Sequence, residues 1–127
     1  MVILGIDPGT TRIGFGVVEK QGSNFRACVS GLFASPSDPL LFEKELLTLL
    51  KKHKPDAVAI EKVFFGKNQK TALAVSEMRG VIKFIIQKQN ILILEYTPLE
   101  IKQSITGYGR AEKTSAETTP FVQRVKR

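Results

Sequence analysis

Apolar positions in the first third of the chain follow two patterns, and both predict strands. Residues 2–6 form a continuous apolar run around one glycine, which is typical of a strand buried on both faces, and Pro8-Gly9 ends it with turn chemistry. Residues 13–17 and 25–33 instead alternate apolar with small or polar side chains, and a Gln-Gly-Ser-Asn turn separates them. The sequence therefore predicts three strands that form an antiparallel meander.

Helical spacing begins after residue 38. Asp38 is a good N-cap residue, Pro39 suits the first helical position, and apolar residues then recur at helical intervals to about His53. Residues 57–60 predict a short buried fourth strand, which ends, like the first, at an acid. The later patterns predict a helix over residues 67–90, a fifth strand over 91–94 and a short helix from Thr97-Pro98.

A meander followed by alternating helices and strands predicts an α/β fold with a mixed five-stranded sheet flanked by helices. At 127 residues the chain suits one domain, which we expect to span residues 1–127. The chain is 43% hydrophobic, but none of its apolar runs approaches the roughly 20 residues needed to cross a bilayer. We therefore expect that it is not a membrane protein. The start resembles no secretory leader and Cys28 is the only cysteine, so we expect a reducing, cytoplasmic location.

The second predicted helix carries an apolar stripe that is wide for burial against one sheet face. The stripe consists of Leu73, Val75, Met78, Ile82, Ile85 and Ile86. Part of it can pack on a second copy of the chain, or the helix can be buried deeply within one subunit. Gly80 costs about 1 kcal/mol of helix propensity relative to alanine and so indicates close packing or a bend.

The net charge of +7 favours an anionic partner, and nucleic acid is the obvious candidate. The region from Lys102 to the last residue carries much of this positive charge, because its six basic residues are balanced only by Glu112 and Glu117. A solvated basic tail that binds nothing is the alternative reading of the same charges.

Two acids stand at matching places, Asp7 after the first strand and Glu61 after the fourth. If a helical crossover makes these strands parallel neighbours, both acids emerge at one sheet edge, and a divalent cation would relieve their repulsion. Magnesium or manganese suits such oxygen ligands, and paired ions of this kind hydrolyse phosphodiesters. Alternatively, Asp7 forms a turn and Glu61 is a solvated strand end, or the glycine turn with its threonines cradles a nucleotide phosphate.

Four stretches of the chain carry a family resemblance. They are Ile-Leu-Gly-Ile-Asp-Pro-Gly at 3–9, Ala-Ile-Glu-Lys-Val-Phe-Phe-Gly-Lys-Asn at 59–68, Thr-Ala-Leu at 71–73 with Arg-Gly-Val at 79–81, and Tyr-Thr-Pro-Leu-Glu-Ile-Lys-Gln at 96–103 with 107–113. With these motifs in this order, the chain resembles the RuvC-type Holliday junction resolvases from residue 2 to about residue 114.

The resemblance implies a ribonuclease H-like fold, a homodimer, and Mg²⁺-dependent symmetric nicking of four-way DNA junctions in concert with a branch-migration helicase complex. Asp7 and Glu61 match the family's first two metal-binding carboxylates. Lys102 and Lys113 match basic DNA contacts, and Phe64 matches an aromatic residue that stacks on an unpaired base. For the two lysines the alternative is a solvated charge that contacts no DNA. For Phe64 the alternative is a phenylalanine of the hydrophobic core.

The segment 113–127 does not match the motifs in which the family supplies its remaining acids. It contains no aspartate, and Glu117 is the acid that would have to substitute. We therefore expect a divergent tail, with the last helix or helices of the fold missing or altered. A catalytically inactive, dimeric junction-binding protein is the alternative to a working nuclease.

Overall fold

The computed structural model of the protein describes residues 1–9, 11–63 and 69–97, and these ranges contain a five-stranded sheet and two helices. The elements in chain order are β1 (Val2–Asp7), β2 (Gly14–Gln21), β3 (Asn24–Leu32), α1 (Pro39–His53), β4 (Ala57–Glu61), α2 (Gln69–Lys88) and β5 (Leu92–Tyr96). The predicted α/β architecture and the order of its elements are confirmed. The short helix predicted from Thr97-Pro98 lies outside the described residues.

The sheet is mixed, with the strand order β3-β2-β1-β4-β5. The first three strands form the predicted antiparallel meander, whereas β4 lies parallel to β1 and β5 lies parallel to β4. β5 extends two residues beyond the predicted strand because Glu95 pairs with Ile60 and Tyr96 pairs with Glu61. The fifth strand therefore reaches the edge of the sheet at which Glu61 lies.

Helix α1 begins and ends at the residues that its capping chemistry predicts. The Asp38 Oδ1 atom accepts hydrogen bonds from the Leu40 and Leu41 amides at 3.1 and 3.2 Å. At the other end Lys54 adopts a left-handed conformation, and its amide donates to the Leu50 carbonyl at 2.8 Å. The helix returns the chain to the start of β4, which allows β4 to pair with β1 in parallel.

One face of the sheet packs against both helices and forms the main core. Its buried members are Leu4, Ile6, Ile13, Val17, Phe33, Phe42, Leu46, Leu50, Val58, Ile60, Ile82, Ile85 and Ile86. A smaller cluster of Ile3, Ala57 and Ala59, with Leu94 and Tyr96 at its margin, lies on the opposite face. Neither α1 nor α2 contributes to this second cluster. The side chains of alternate strand residues thus divide between a face that packs on both helices and a face that packs on neither.

Helix α2 buries only part of its apolar stripe. Ile82, Ile85 and Ile86 are buried in the main core, whereas Leu73 at the start of the stripe is 55% exposed. Phe84, which is not part of the stripe, is 61% exposed. A Cβ atom added at Gly80 would meet no described atom within 4 Å, so close packing inside this part of the chain does not explain the glycine. Neither α1 nor α2 is long and apolar enough to cross a membrane, and the described ranges contain no other helix.

Candidate metal site and nucleic-acid interface

Asp7 and Glu61 end two neighbouring parallel strands. Ile6 stands opposite Ile60 in the β1–β4 register, and each acid is the next residue of its strand. Because neighbouring strands lie about 4.8 Å apart and side chains alternate between faces, both carboxylates emerge side by side, on the face opposite Ile6 and Ile60. Asp7 is exposed and Glu61 is half-buried. The structure thus brings together the two acids that the sequence pairs.

The chain around Asp7 leaves room beside its carboxylate. Asp7 pairs across the sheet with Gly14 of β2, where even an added Cβ would stay 4.0 Å from the Asp7 Cβ atom. The turn after β1 depends on Gly9, since a Cβ there would overlap the carbonyl oxygen of Arg12. Gly9 is therefore required for the turn that follows Asp7, whereas an added Cβ at Gly14 would make only ordinary contacts.

The chain around Glu61 is held by contacts from other elements. The Arg79 Nε atom of α2 donates a hydrogen bond to the Glu61 carbonyl oxygen at 3.0 Å. The next amide, that of Lys62, donates to the Tyr96 carbonyl of β5 at 2.6 Å. The end of β4 is therefore fixed from the helix on one side and from β5 on another.

Glu95 of β5 completes this arrangement on the helix face of the sheet. Its carboxylate pairs with the Arg79 guanidinium and, at 3.1 Å, with the Lys83 ammonium group. Burial raises the pKa of the Glu95 carboxyl, but the hydrogen bonds from Arg79 and Lys83 outweigh it and hold that pKa below its usual value. Glu95 therefore stays ionised and anchors the guanidinium that bonds Glu61.

Sequence reasoning missed this network, although it left a signal. Arg79 and Lys83 stand one helical turn apart, and Glu95 is the single acid in an otherwise apolar and aromatic strand. An isolated acid in such a strand needs a basic partner, and the neighbouring helix offers two.

The remaining predicted site residues, Phe64, Lys102 and Lys113, lie outside the described residues, as does Glu117. Within the described ranges no group of three or more His, Cys, Asp or Glu residues is placed to hold a metal ion. The pair formed by Asp7 and Glu61 fits a hard divalent cation, which accepts one or two protein carboxylates together with phosphate and water oxygens. The two carboxylates would therefore supply part of the cation's ligands, and phosphate and water oxygens would supply others.

The mixed sheet with the strand order β3-β2-β1-β4-β5 and its flanking helices is that of a ribonuclease H-like α/β protein. Among solved structures the chain is similar to T. thermophilus RuvC in complex with a Holliday junction substrate, with a TM-score of 0.75 and 28% identity. That similarity covers 99% of this chain and 79% of the other.

The family model for crossover junction endodeoxyribonuclease RuvC matches residues 3–125, which extends beyond Lys113. The RuvC of Petrotoga mobilis is 49% identical over 125 residues, covering 94% of this chain and 77% of that protein. The RuvC of Ruminiclostridium cellulolyticum is 46% identical over 123 residues, covering 92% and 74%. The chain therefore belongs to the RuvC family of crossover junction endodeoxyribonucleases, and the resemblance found in its motifs is confirmed.

Proposed function

We propose that this chain nicks four-way DNA junctions at two symmetric positions by two-metal phosphodiester hydrolysis in recombination and repair. The observation that carries the proposal is the placement of Asp7 and Glu61 at adjacent ends of two parallel strands in a member of the RuvC family. The preferred cation is Mg²⁺, with Mn²⁺ as a substitute, because carboxylates are hard oxygen ligands. The cytoplasm is the proposed location.

The two acids differ in what they contribute. A bound divalent cation would polarise the scissile phosphate and activate a water molecule. Asp7 is exposed at the rim of the site and offers its carboxylate to solvent and substrate. Glu61 is half-buried and its main chain is fixed by Arg79, so its carboxylate provides the rigid side of the site.

DNA contacts come from residues that the family resemblance assigns. Lys102 and Lys113 are proposed to contact phosphates near the cleaved bonds, and Phe64 is proposed to stack on an unpaired base at the junction centre. The net charge of +7 supports a polyanionic substrate, and the similar T. thermophilus RuvC was solved with a Holliday junction. A branch-migration helicase complex is the proposed protein partner.

A homodimer is the proposed assembly, because symmetric nicks require two equivalent sites. The outward face of α2 supports it: Leu73, Gly80 and Phe84 stand seven and four residues apart, which places them on one line along the helix. Both large side chains are mostly exposed, and Gly80 would let a second backbone approach closely.

The dimer is tested with Phe84→Ser, which we expect to shift sedimentation toward the monomer while far-UV circular dichroism stays unchanged. Leu40→Ser is the matched control, since Leu40 is 75% exposed on α1 rather than α2. Equal association of the parent and the Phe84 variant would refute this interface.

The function is tested by incubating the parent chain with an end-labelled four-way junction or a matched duplex, in Mg²⁺, Mn²⁺ or chelator. Symmetric, metal-dependent nicks in the junction alone are the expected result. Nicks of equal frequency in duplex, or no preference for the junction in binding, would contradict the proposal.

A junction-binding protein without nuclease activity is the second candidate. The observation behind it is that Asp7 and Glu61 stand at neighbouring strand ends with no third His, Cys, Asp or Glu grouped with them among the described residues. Tight junction-selective binding in chelator, with no nicks in either metal, would select it.

A further inference from the structure

Arg79 connects three elements at the edge of the sheet that carries the acids. It belongs to α2, its Nε atom bonds the main-chain carbonyl of Glu61 in β4 at 3.0 Å, and its terminal nitrogen bonds the Glu95 carboxylate in β5. The Arg79 side chain is only 13% exposed. A nearly buried guanidinium therefore spans the last residues of two neighbouring strands.

The Glu61 carbonyl belongs to the same residue as a proposed metal-binding carboxylate. The Glu61 carbonyl and the Lys62 amide belong to one peptide plane, which is held on one side by the hydrogen bond from Arg79 and on the other by the hydrogen bond to the Tyr96 carbonyl. With this plane held from both sides, the Cα–Cβ direction of Glu61 is restricted relative to β1 and Asp7. Arginine suits this task because its planar fork offers several donors in a rigid geometry, which lysine does not.

We propose that Arg79 is a positioning residue that holds Glu61 in the orientation in which its carboxylate and that of Asp7 bind one divalent cation. The inference rests on the proposed function, since it presupposes a cation between these two acids. Removing a group that orients a metal-binding residue typically lowers the metal affinity 10- to 100-fold.

A purely structural role for the same ion pair is the competing explanation, and Lys83 separates the two. Lys83 pairs with the other oxygen of Glu95 at 3.1 Å, so its loss also removes an ion pair between α2 and β5. Arg79 differs because it additionally bonds the Glu61 main chain. Lys83→Gln is therefore the matched control for Arg79→Lys.

The experiment is a Mn²⁺ titration of the full chain, followed by the electron paramagnetic resonance signal of free Mn²⁺. Parent, Asp7→Asn, Arg79→Lys and Lys83→Gln are compared, with thermal unfolding and junction binding in chelator measured on each. We expect Arg79→Lys to weaken the Asp7-dependent affinity about tenfold or more, whereas Lys83→Gln retains it. Junction binding in chelator is expected to stay at the parent level in both variants.

The outcomes that contradict the inference are distinct. If the parent binds Mn²⁺ through Asp7 and Arg79→Lys binds it equally well, the positioning role is refuted and the metal site stands. If Arg79→Lys and Lys83→Gln weaken binding equally, general destabilisation explains the effect and the positioning role is again refuted. If the parent shows no Asp7-dependent binding, the metal site and the positioning role are refuted together.

Glu95→Gln provides a second variant in case Arg79→Lys does not fold. It keeps the shape of the side chain and removes the charge that anchors the guanidinium, so it is expected to weaken the hydrogen bond from Arg79 to the Glu61 carbonyl. We expect Glu95→Gln to lose Mn²⁺ affinity, but less than Arg79→Lys does. Parent-level affinity in Glu95→Gln would overturn the inference without the Arg79 variant.

Discussion

The ends of β1 and β4 each present one acid at the same edge of the sheet, but they are built in different ways. Asp7 is exposed and is followed by a tight turn that depends on Gly9. Glu61 is half-buried, and side-chain and main-chain groups of α2 and β5 hold its backbone. Local chain geometry therefore shapes one half of the site, and tertiary contacts shape the other.

The difference matters because a cation site needs both correct spacing and rigidity. Parallel pairing of β1 with β4 supplies the spacing, since it fixes the two Cα positions on adjacent strands. Rigidity at Glu61 depends on the docking of α2, which also carries the proposed dimer surface. A change at α2 is therefore expected to affect the Glu61 side of the site first.

Removing either carboxylate is expected to have the largest effect. Asp7→Asn and Glu61→Gln should each lower the rate of junction nicking on the order of 100-fold or more, because each removes a charge that the cation requires. The rate is measured on a labelled junction in Mg²⁺. Binding in chelator should persist or tighten, since negative charge near the DNA phosphates has been lost. A parent-level rate in either variant would show that its acid is not part of the site.

Disturbing the turn is expected to cost stability at the Asp7 end alone. Gly9→Ala should lower the free energy of unfolding by about 1–3 kcal/mol, because the new Cβ overlaps the Arg12 carbonyl oxygen. Gly14→Ala is the matched control on the other side of Asp7, where an added Cβ makes only ordinary contacts. Urea denaturation measures both variants. Equal stabilities would mean that the turn adjusts and that Asp7 does not depend on Gly9.

Acidic pH is expected to loosen the Glu61 end by a smaller amount. The folded-state pKa of Glu95 lies below its ordinary value of 4.5, so its ion pairs stabilise the fold fully above that value. The stabilisation is lost as the pH falls through the lowered folded-state pKa. Urea midpoints should therefore drop between neutral and acidic pH, and they should drop less in Glu95→Gln. An identical pH dependence in both proteins would refute a depressed pKa of Glu95.

The sequence predicts well those features that depend on neighbouring residues. Alternation and capping residues indicated the strands and α1, and the two strand-ending acids indicated a shared edge once a helical crossover was assumed. The contact from Arg79 to the Glu61 carbonyl was beyond such reasoning. It depends on how α2 docks on the sheet, and no local pattern specifies which helical side chain meets which main-chain oxygen.

The end of β5 shows the same limit. Its apolar pattern stops at Leu94, whereas the strand continues through Glu95 and Tyr96 because β4 provides pairing partners. The charge of Glu95 is accommodated there by two basic residues of α2. Tertiary pairing thus extended the strand beyond its hydrophobic signal, and in doing so it created the anchor for Arg79.

Asp7 and Glu61 are proposed to form one cation site, and a Mn²⁺ titration of the parent, Asp7→Asn, Glu61→Gln and the double variant decides whether they do. Each single substitution is expected to remove the same binding event, and the double substitution is expected to remove no more. Independent, additive losses from the two substitutions, or Mn²⁺ binding that survives in the double variant at parent affinity, would contradict a shared site.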